Sequence, residues 1–211
     1  MERRMKILRL AAGLTAAALL GGCASLSKDE CLSANWRQIG FSDGAKGLPN
    51  KQIEKHGKAC AEHGVQVDLD EYLSGRQQGL QTYCQPANGF LVGRSGERQI
   101  APDCPEHLRS GFLEQYNRGL VVHAIEAEFE SRRSRAAHYR RKLHQNDDRI
   151  TEIRAELNRK DLGTDRRTAL LNEYNKLVEE KEHLLRHAAE QEREADRLQY
   201  RLRQKLREFG Y

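Results

Sequence analysis

The chain has 211 residues, 32% of them charged, and a formal net charge of +5. Arg3, Arg4, Lys6 and Arg9 against Glu2 supply +3 of that +5, so the chain beyond residue 22 sits at about +2. A chain near neutrality with this many charges is well solvated and laced with ion pairs, and it is not a strongly basic nucleic-acid binder.

The N-terminus reads as an export signal. Its basic residues precede a short apolar run, Leu10–Leu20, and Leu20-Gly21-Gly22-Cys23 closes it with small residues before a cysteine. An apolar run this short cannot cross a hydrocarbon core that needs roughly 20 residues. The tetrapeptide resembles the lipobox of bacterial lipoproteins, in which the cysteine is acylated and becomes the new N-terminus. Residues 1–22 are thus expected to be a lipoprotein signal peptide, Cys23 the lipidated residue and 23–30 a tether. Ala24 is not the Asp that retains such proteins, so the resemblance places the anchor in the inner leaflet of the outer membrane, facing the periplasm. The tether to Cys31 is too short for a folded head to leave the membrane surface.

With Cys23 modified, Cys31, Cys60, Cys84 and Cys104 form an even set. In an oxidising compartment they are expected to make two disulfides. No C-x-x-C or tight Cys/His pair favours a metal site, and no metal or cofactor is expected. Residues 31–120 hold these cysteines, the only Trp, every proline and most glycines, whereas 121–211 hold no proline or cysteine. The fold expected is mostly α: a small disulfide-stapled helical head followed by a long antiparallel helical hairpin, a coiled coil.

Within the head, three short helices are expected at 33–46, 50–62 and 68–83, the last capped by Asp68. Pro49 and Gly64–Val67 separate them. Residues 84–104 read as a Gly/Pro-rich loop, in which Phe90–Val92 and Arg98–Ile100 flank Gly93–Gly96 as a possible β-hairpin. Phe41-x-x-Gly44, Tyr72-x-x-Gly75 and Tyr116-x-x-Gly119 form a loose repeat that places an aromatic and a glycine on one helix face. Glycine within a helix costs about 1 kcal/mol relative to alanine. Its recurrence points to close helix packing, with a ligand groove on those faces as the alternative. A helix over 68–83 is roughly 24 Å long, too long to join Cys60 to Cys84 when bonded cysteines need Cα atoms within about 7 Å. Pairing 31–60 with 84–104 is preferred, and the crossed pairing 31–84 with 60–104 stays open.

From Val122 an apolar seam runs through Ile125, Phe129, Arg132, Ala136, Tyr139, Leu143, Asn146, Ile150, Ile153 and Leu157 at alternating spacings of three and four. Gly163 should stop this helix and Thr164 cap the next. A second stripe follows: Leu170, Tyr174, Leu177, Leu184, Ala188, Ala195, Leu198, Leu202 and Phe209. Two such helices with a turn near 163 should fold back antiparallel, with Phe209 returning beside Tyr116 and Gly119. An intermolecular coiled coil is the competing arrangement. Arg132 and Asn146 interrupt the seam and should fix register. The basic run Ser131–Lys142 reads as a solvated face, or as a contact for phosphate-bearing lipid or an acidic partner.

The head also carries Trp36-x-x-Ile39-Gly40-Phe41-x-Asp43-Gly44-x-x-Gly47, His56-x-x-x-Cys60-x-x-x-Gly64-Val65-x-x-Asp68, Tyr72-x-x-Gly75-Arg76-x-x-Gly79-Leu80-x-x-Tyr83-Cys84-x-Pro86-x-Asn88-Gly89-Phe90-x-x-Gly93-Arg94-x-Gly96 and Cys104-Pro105. These residues resemble the proteobacterial lipoprotein family known as domain of unknown function 2799. The resemblance implies an envelope lipoprotein with structural cysteines and supplies no activity.

The polar residues that could form a site are Asp43, His56, Asn88 and Arg94. His56 and His63 are too widely spaced for an i, i+4 chelate, so a surface or cap role is expected for both. Asp43 should make an interhelical or cap hydrogen bond. Arg94 lies between glycines whose amides could cradle an anion, or it hydrogen-bonds carbonyls across the loop. No nucleophile elbow, zinc-protease helix or phosphate loop is present. The expected role is therefore non-enzymatic: a membrane-anchored adaptor or scaffold whose arm meets an envelope protein. A small-ligand or cell-wall-binding head using the 84–104 loop is the alternative, and an uncharacterised enzyme the third.

Overall fold

The computed structural model describes residues 26–98 and 103–211, and they form seven helices. Cys23, the signal segment, and Gln99 and Ile100 of the expected hairpin lie outside the described residues. A capping box between Ser27 and Glu30 starts α1 (Lys28–Leu32). Asn35 then caps α2 (Trp36–Ala45) through the Gln38 amide. The first helix expected, 33–46, is thus α2, which starts three residues later than expected because Asn35 caps it, and α1 is a further short helix ahead of it. Next come α3 (Gln52–Ala61) and α4 (Leu69–Tyr83), the latter capped by Asp68 as its sequence demands.

The first half of the expected loop at 84–104 is helical, so Phe90–Val92 are not a strand of the expected hairpin. Pro86 occupies the first turn of α5 (Pro86–Ser95), where its missing N–H costs nothing, and Gly96 ends the helix in the left-handed region at φ 78°. Helix α6 (Glu106–Leu157) then runs unbroken from head into arm, and α7 (Thr164–Phe209) returns. Among the described residues, no helix is long and apolar enough to cross a membrane.

The glycines build the head as two similar units. In the first, α2 and α4 run parallel with backbones nearly touching. A Cβ on Gly40 would lie 2.0 Å from the Tyr72 carbonyl oxygen, and one on Gly75 would lie 1.9 Å from that of Arg37. Gly44 meets Arg76, and Gly79 meets Phe41, in the same register. In the second unit α5 and α6 repeat the arrangement: Gly89 faces Phe112, Gly93 faces Tyr116, and Gly119 faces Phe90. The motif Gly40-Phe41-x-x-Gly44-x-x-Gly47 recurs as Gly89-Phe90-x-x-Gly93-x-x-Gly96, and Tyr72-Leu73 with Gly79-Leu80 recurs as Phe112-Leu113 with Gly119-Leu120. The repeat is thus a pair of helix pairs, in a different register from the aromatic–glycine spacing alone. Its glycines serve packing, because only hydrogen fits where a neighbouring carbonyl sits.

Each unit encloses a disulfide. Cys31–Cys60 ties α1 to α3, and Cys84–Cys104 joins the C-cap of α4 to the segment before α6. This is the preferred pairing. One core gathers Cys31, Cys60, Trp36 and Tyr72, the other Cys84, Cys104, Leu80, Tyr83, Phe112 and Tyr116.

The arm folds back within one chain. Val122, Ile125, Ala136, Asn146, Ile150 and Ile153 of α6 are buried along the expected seam, as are Leu170, Leu184, Ala188, Ala195 and Leu198 of α7. Gly163 is the N-cap of α7 and not the stop of α6, and Thr164 is its first helical residue. Helix α6 ends earlier, at Leu157, because arginines satisfy its last carbonyls: Arg167 donates to Leu157 O at 3.0 Å while Arg166 pairs with Glu156. Arg132 meets Gln191 across the seam as expected, whereas Asn146 is buried with its Nδ2 unpartnered, and Arg149 supplies the second pairing with two hydrogen bonds to Glu173. The basic run faces an acidic stretch of α7, with Arg140 paired to Glu192 at 2.6 Å. At the return, Arg118 lies over the Phe209 ring and Tyr211 stacks on Phe90 at 3.7 Å. The hairpin thus closes on the head where length matching placed it.

Candidate functional site

Two places in the molecule concentrate chemistry: a polar cluster inside the first unit and the outer face of the arm. The cluster is assembled by three helices. Helix α2 presents Asp43 toward α3 and α4. From α3, His56 sits one turn before Cys60, so the disulfide fixes the helix that delivers it. Its Nε2 is 2.8 Å from Asp43 Oδ2, and the Tyr72 hydroxyl of α4 donates to that same oxygen at 2.8 Å. All three side chains are buried. The surface or cap role expected for His56 is therefore wrong: its position one turn from a buried cysteine places it on the inner face of α3. Asp43 makes an interhelical hydrogen bond, one of its two expected roles.

Electrostatics explain the arrangement. A carboxylate removed from water needs donors, and Asp43 receives two. Burial first, and the bond to Asp43 second, push the Tyr72 phenol well above its ordinary value of 10, so it stays a proton donor. His56 Nδ1 has no hydrogen-bond partner. The bond to Asp43 calls for a proton on Nε2, since a proton on Nδ1 would be buried unpaired. Below the cluster, buried Arg76 donates through Nη2 to Leu48 O at 2.8 Å and to Asp103 Oδ2 at 3.1 Å. It thereby ties the turn after α2 to the residue preceding Cys104, linking the two units.

Chemically, the Asp43–His56 pair has the form of a base and its orienter. The partners of Asp43 lie inside the protein, and beside Arg76 a shallow cleft of about 320 Å³ is lined by Asn50, Leu73, Gln77, Leu80 and Asp103. The cluster is a three-helix staple. Tyr72 and Arg76, which complete it, stand one turn apart on α4 between packing glycines. That adjacency is the signal in the sequence that could have found them.

The other expected residues are engaged elsewhere. Asn88 Nδ2 donates to Tyr83 O at 2.7 Å, satisfying a carbonyl at the end of α4. Arg94 neither sits in an anion cradle nor reaches loop carbonyls. It lies in the last turn of α5 and forms a bidentate pair with Glu126 of α6. The loop that would have formed a ligand site is thus a packed helix, and its two polar candidates brace it against neighbours.

The arm offers a surface of another kind. Leu171, Val178 and Leu185 follow one another at heptad spacing on the flank of α7 and are 45%, 37% and 50% exposed. They stand beside the buried seam, where a third helix in a coiled coil would lie.

Among curated proteins and among solved structures, no match to the chain is found. Residues 35–121, the two glycine-packed units, match the model of the family described as "Protein of unknown function (DUF2799)".

Proposed function

We propose that the protein is a lipid-anchored adaptor of the bacterial envelope: Cys23 holds it in the outer membrane, the head forms a rigid base, and the arm docks a protein partner. In this reading it is not an enzyme. The observation that carries the proposal is the arm itself. Beyond the last head contact, Arg94 to Glu126, α6 continues for about 45 Å. Along that length α7 carries an apolar stripe that its own hairpin leaves exposed. The stapled head supports the same reading, since its polar groups are spent holding helices together.

A shortened hairpin tests it. Removing 143–156 and 170–183 takes two heptads from each helix, keeps the seam in phase and preserves the docking of Tyr211 on Phe90. This draws the turn about 20 Å closer to the head. The shortened chain should accumulate normally yet fail to restore the phenotype of a deletion strain, and so should the full chain carrying Leu171→Glu, Val178→Glu and Leu185→Glu. Full restoration by both would refute the adaptor role. For the anchor, Cys23→Ala should abolish incorporation of labelled palmitate and release the protein from membranes.

A further inference from the structure

On the flank of α7 that borders α6, one turn apart, His183 and His187 turn their Nε2 atoms toward each other at 3.0 Å. We propose that this pair is a site for a divalent ion of the zinc class, open at its remaining coordination positions. Histidines at i and i+4 present two imidazole nitrogens to one point above a helix face. A zinc ion bound at about 2.0–2.1 Å to each nitrogen needs them roughly 3.3 Å apart, a few tenths of an ångström from the spacing already present.

The surrounding residues prepare that geometry. Glu190 Oε2 lies 3.4 Å from His187 Nδ1, the carboxylate position that holds a ligating histidine in the tautomer with its Nε2 lone pair free. Tyr139 of α6 stacks on the His187 ring at 5.5 Å and fixes its plane. In the empty site one Nε2 carries a proton that the other accepts. Ligation by both nitrogens moves that proton from Nε2 to the Nδ1 of the same ring. The adjoining sequence is acidic, with Glu179, Glu180, Glu182 and Glu190, and Arg186 is drawn toward Glu182.

Among the described residues, no group of three or more His, Cys, Asp or Glu could hold a metal ion. Two positions are therefore left to water or to a side chain from outside, the hallmark of an open site and not of a structural cage. Imidazole ligands with open positions suit Zn²⁺ and Cu²⁺, and exclude Mg²⁺ and Ca²⁺, which demand oxygen.

Calorimetric titration of the untagged, lipidated full chain in detergent with zinc chloride tests the site, with cobalt absorption reporting coordination. One ion per chain is expected. His183→Ala and His187→Ala should each weaken binding at least tenfold, Glu190→Gln should weaken it about tenfold, and His144→Ala, elsewhere on the arm, should leave it unchanged. Far-UV circular dichroism of the metal-free variants should match the parent, separating lost ligation from lost helix. Absence of saturable uptake by the parent, or undiminished uptake by the double variant, would overturn the proposal.

Discussion

The two units of the head share a backbone frame and differ in what fills it. Gly40, Gly44 and Gly47 correspond to Gly89, Gly93 and Gly96, and both terminal glycines adopt the left-handed region, against Tyr83 in one unit and His123 in the other. The carbonyl after that glycine is bound by the second helix in both: Arg76 donates to Leu48 O and Tyr116 to Glu97 O. Yet where the first unit has Asp43 and Tyr72, the second has Val92 and Phe112, buried and apolar. Backbone contact through glycine thus defines the unit, while the buried polar cluster is one of two fillings. A satisfied polar network and an apolar core of similar shape can be nearly equivalent in stability, whereas a half-satisfied network is costly.

The comparison can be broken where it is strongest. Replacing Gly75 or Gly93 by leucine drives a side chain into a neighbouring backbone carbonyl. Either change should cost roughly 3 kcal/mol or more and unfold the unit it belongs to, measured by urea denaturation followed by circular dichroism. A tolerated leucine at either position would deny that glycine contact defines the frame. Removing one disulfide, by Cys31→Ser with Cys60→Ser or by Cys84→Ser with Cys104→Ser, should cost about 3–4 kcal/mol, because the closed loops are of similar length.

The fillings themselves separate next. Asp43→Val alone should cost about 3 kcal/mol, since it strands the Tyr72 hydroxyl and His56 Nε2 without a partner. Combining it with Tyr72→Phe and His56→Leu should bring the loss below about 1 kcal/mol by copying the apolar solution of the second unit. A triple variant no better than the single one would show the two units to be different constructions. Alkaline unfolding offers a finer test. The folded-state pKa of Tyr72 is raised, so its contribution is complete below pH 10 and is lost as pH rises above it. Above pH 10 the parent should lose stability more steeply than Tyr72→Phe. Smallest of all, Arg94→Gln, at an ion pair open to water, should change stability by no more than about 1 kcal/mol.

Much of this was legible because it is periodic or local. The seam from Val122 to Leu157 repeats for five heptads, and its partner stripe has matching length. The length of one helix set aside the pairing of Cys60 with Cys84, leaving 31–60 with 84–104 preferred over the crossed pairing. What escaped reading depends on contacts distant in sequence. Glycine and proline between Cys84 and Cys104 suggested a loop, because their helix penalty is visible in sequence while the facing carbonyls of Phe112 and Tyr116 that make glycine necessary are not. Asp43, His56 and Tyr72 meet only because α2, α3 and α4 pack together, although His56 one turn from Cys60 already marked a buried face. In the arm, Lys181 and Gln191 filled gaps in the apolar stripe and were passed over as polar. They face Asp147 and Arg132 across the hairpin.

Head and arm both leave leucines exposed, but only on α7 do they follow one another at heptad spacing along one flank, as Leu171, Val178 and Leu185. Photo-crosslinking in intact cells, with the probe at Val178 or Leu185 on the arm and at Leu73 or Leu91 on the head, tests the adaptor reading most directly. The account predicts a discrete protein adduct from the arm positions, absent from the head positions and lost from the Leu185 probe when the hairpin is shortened. Adducts confined to Leu73 and Leu91 would contradict it.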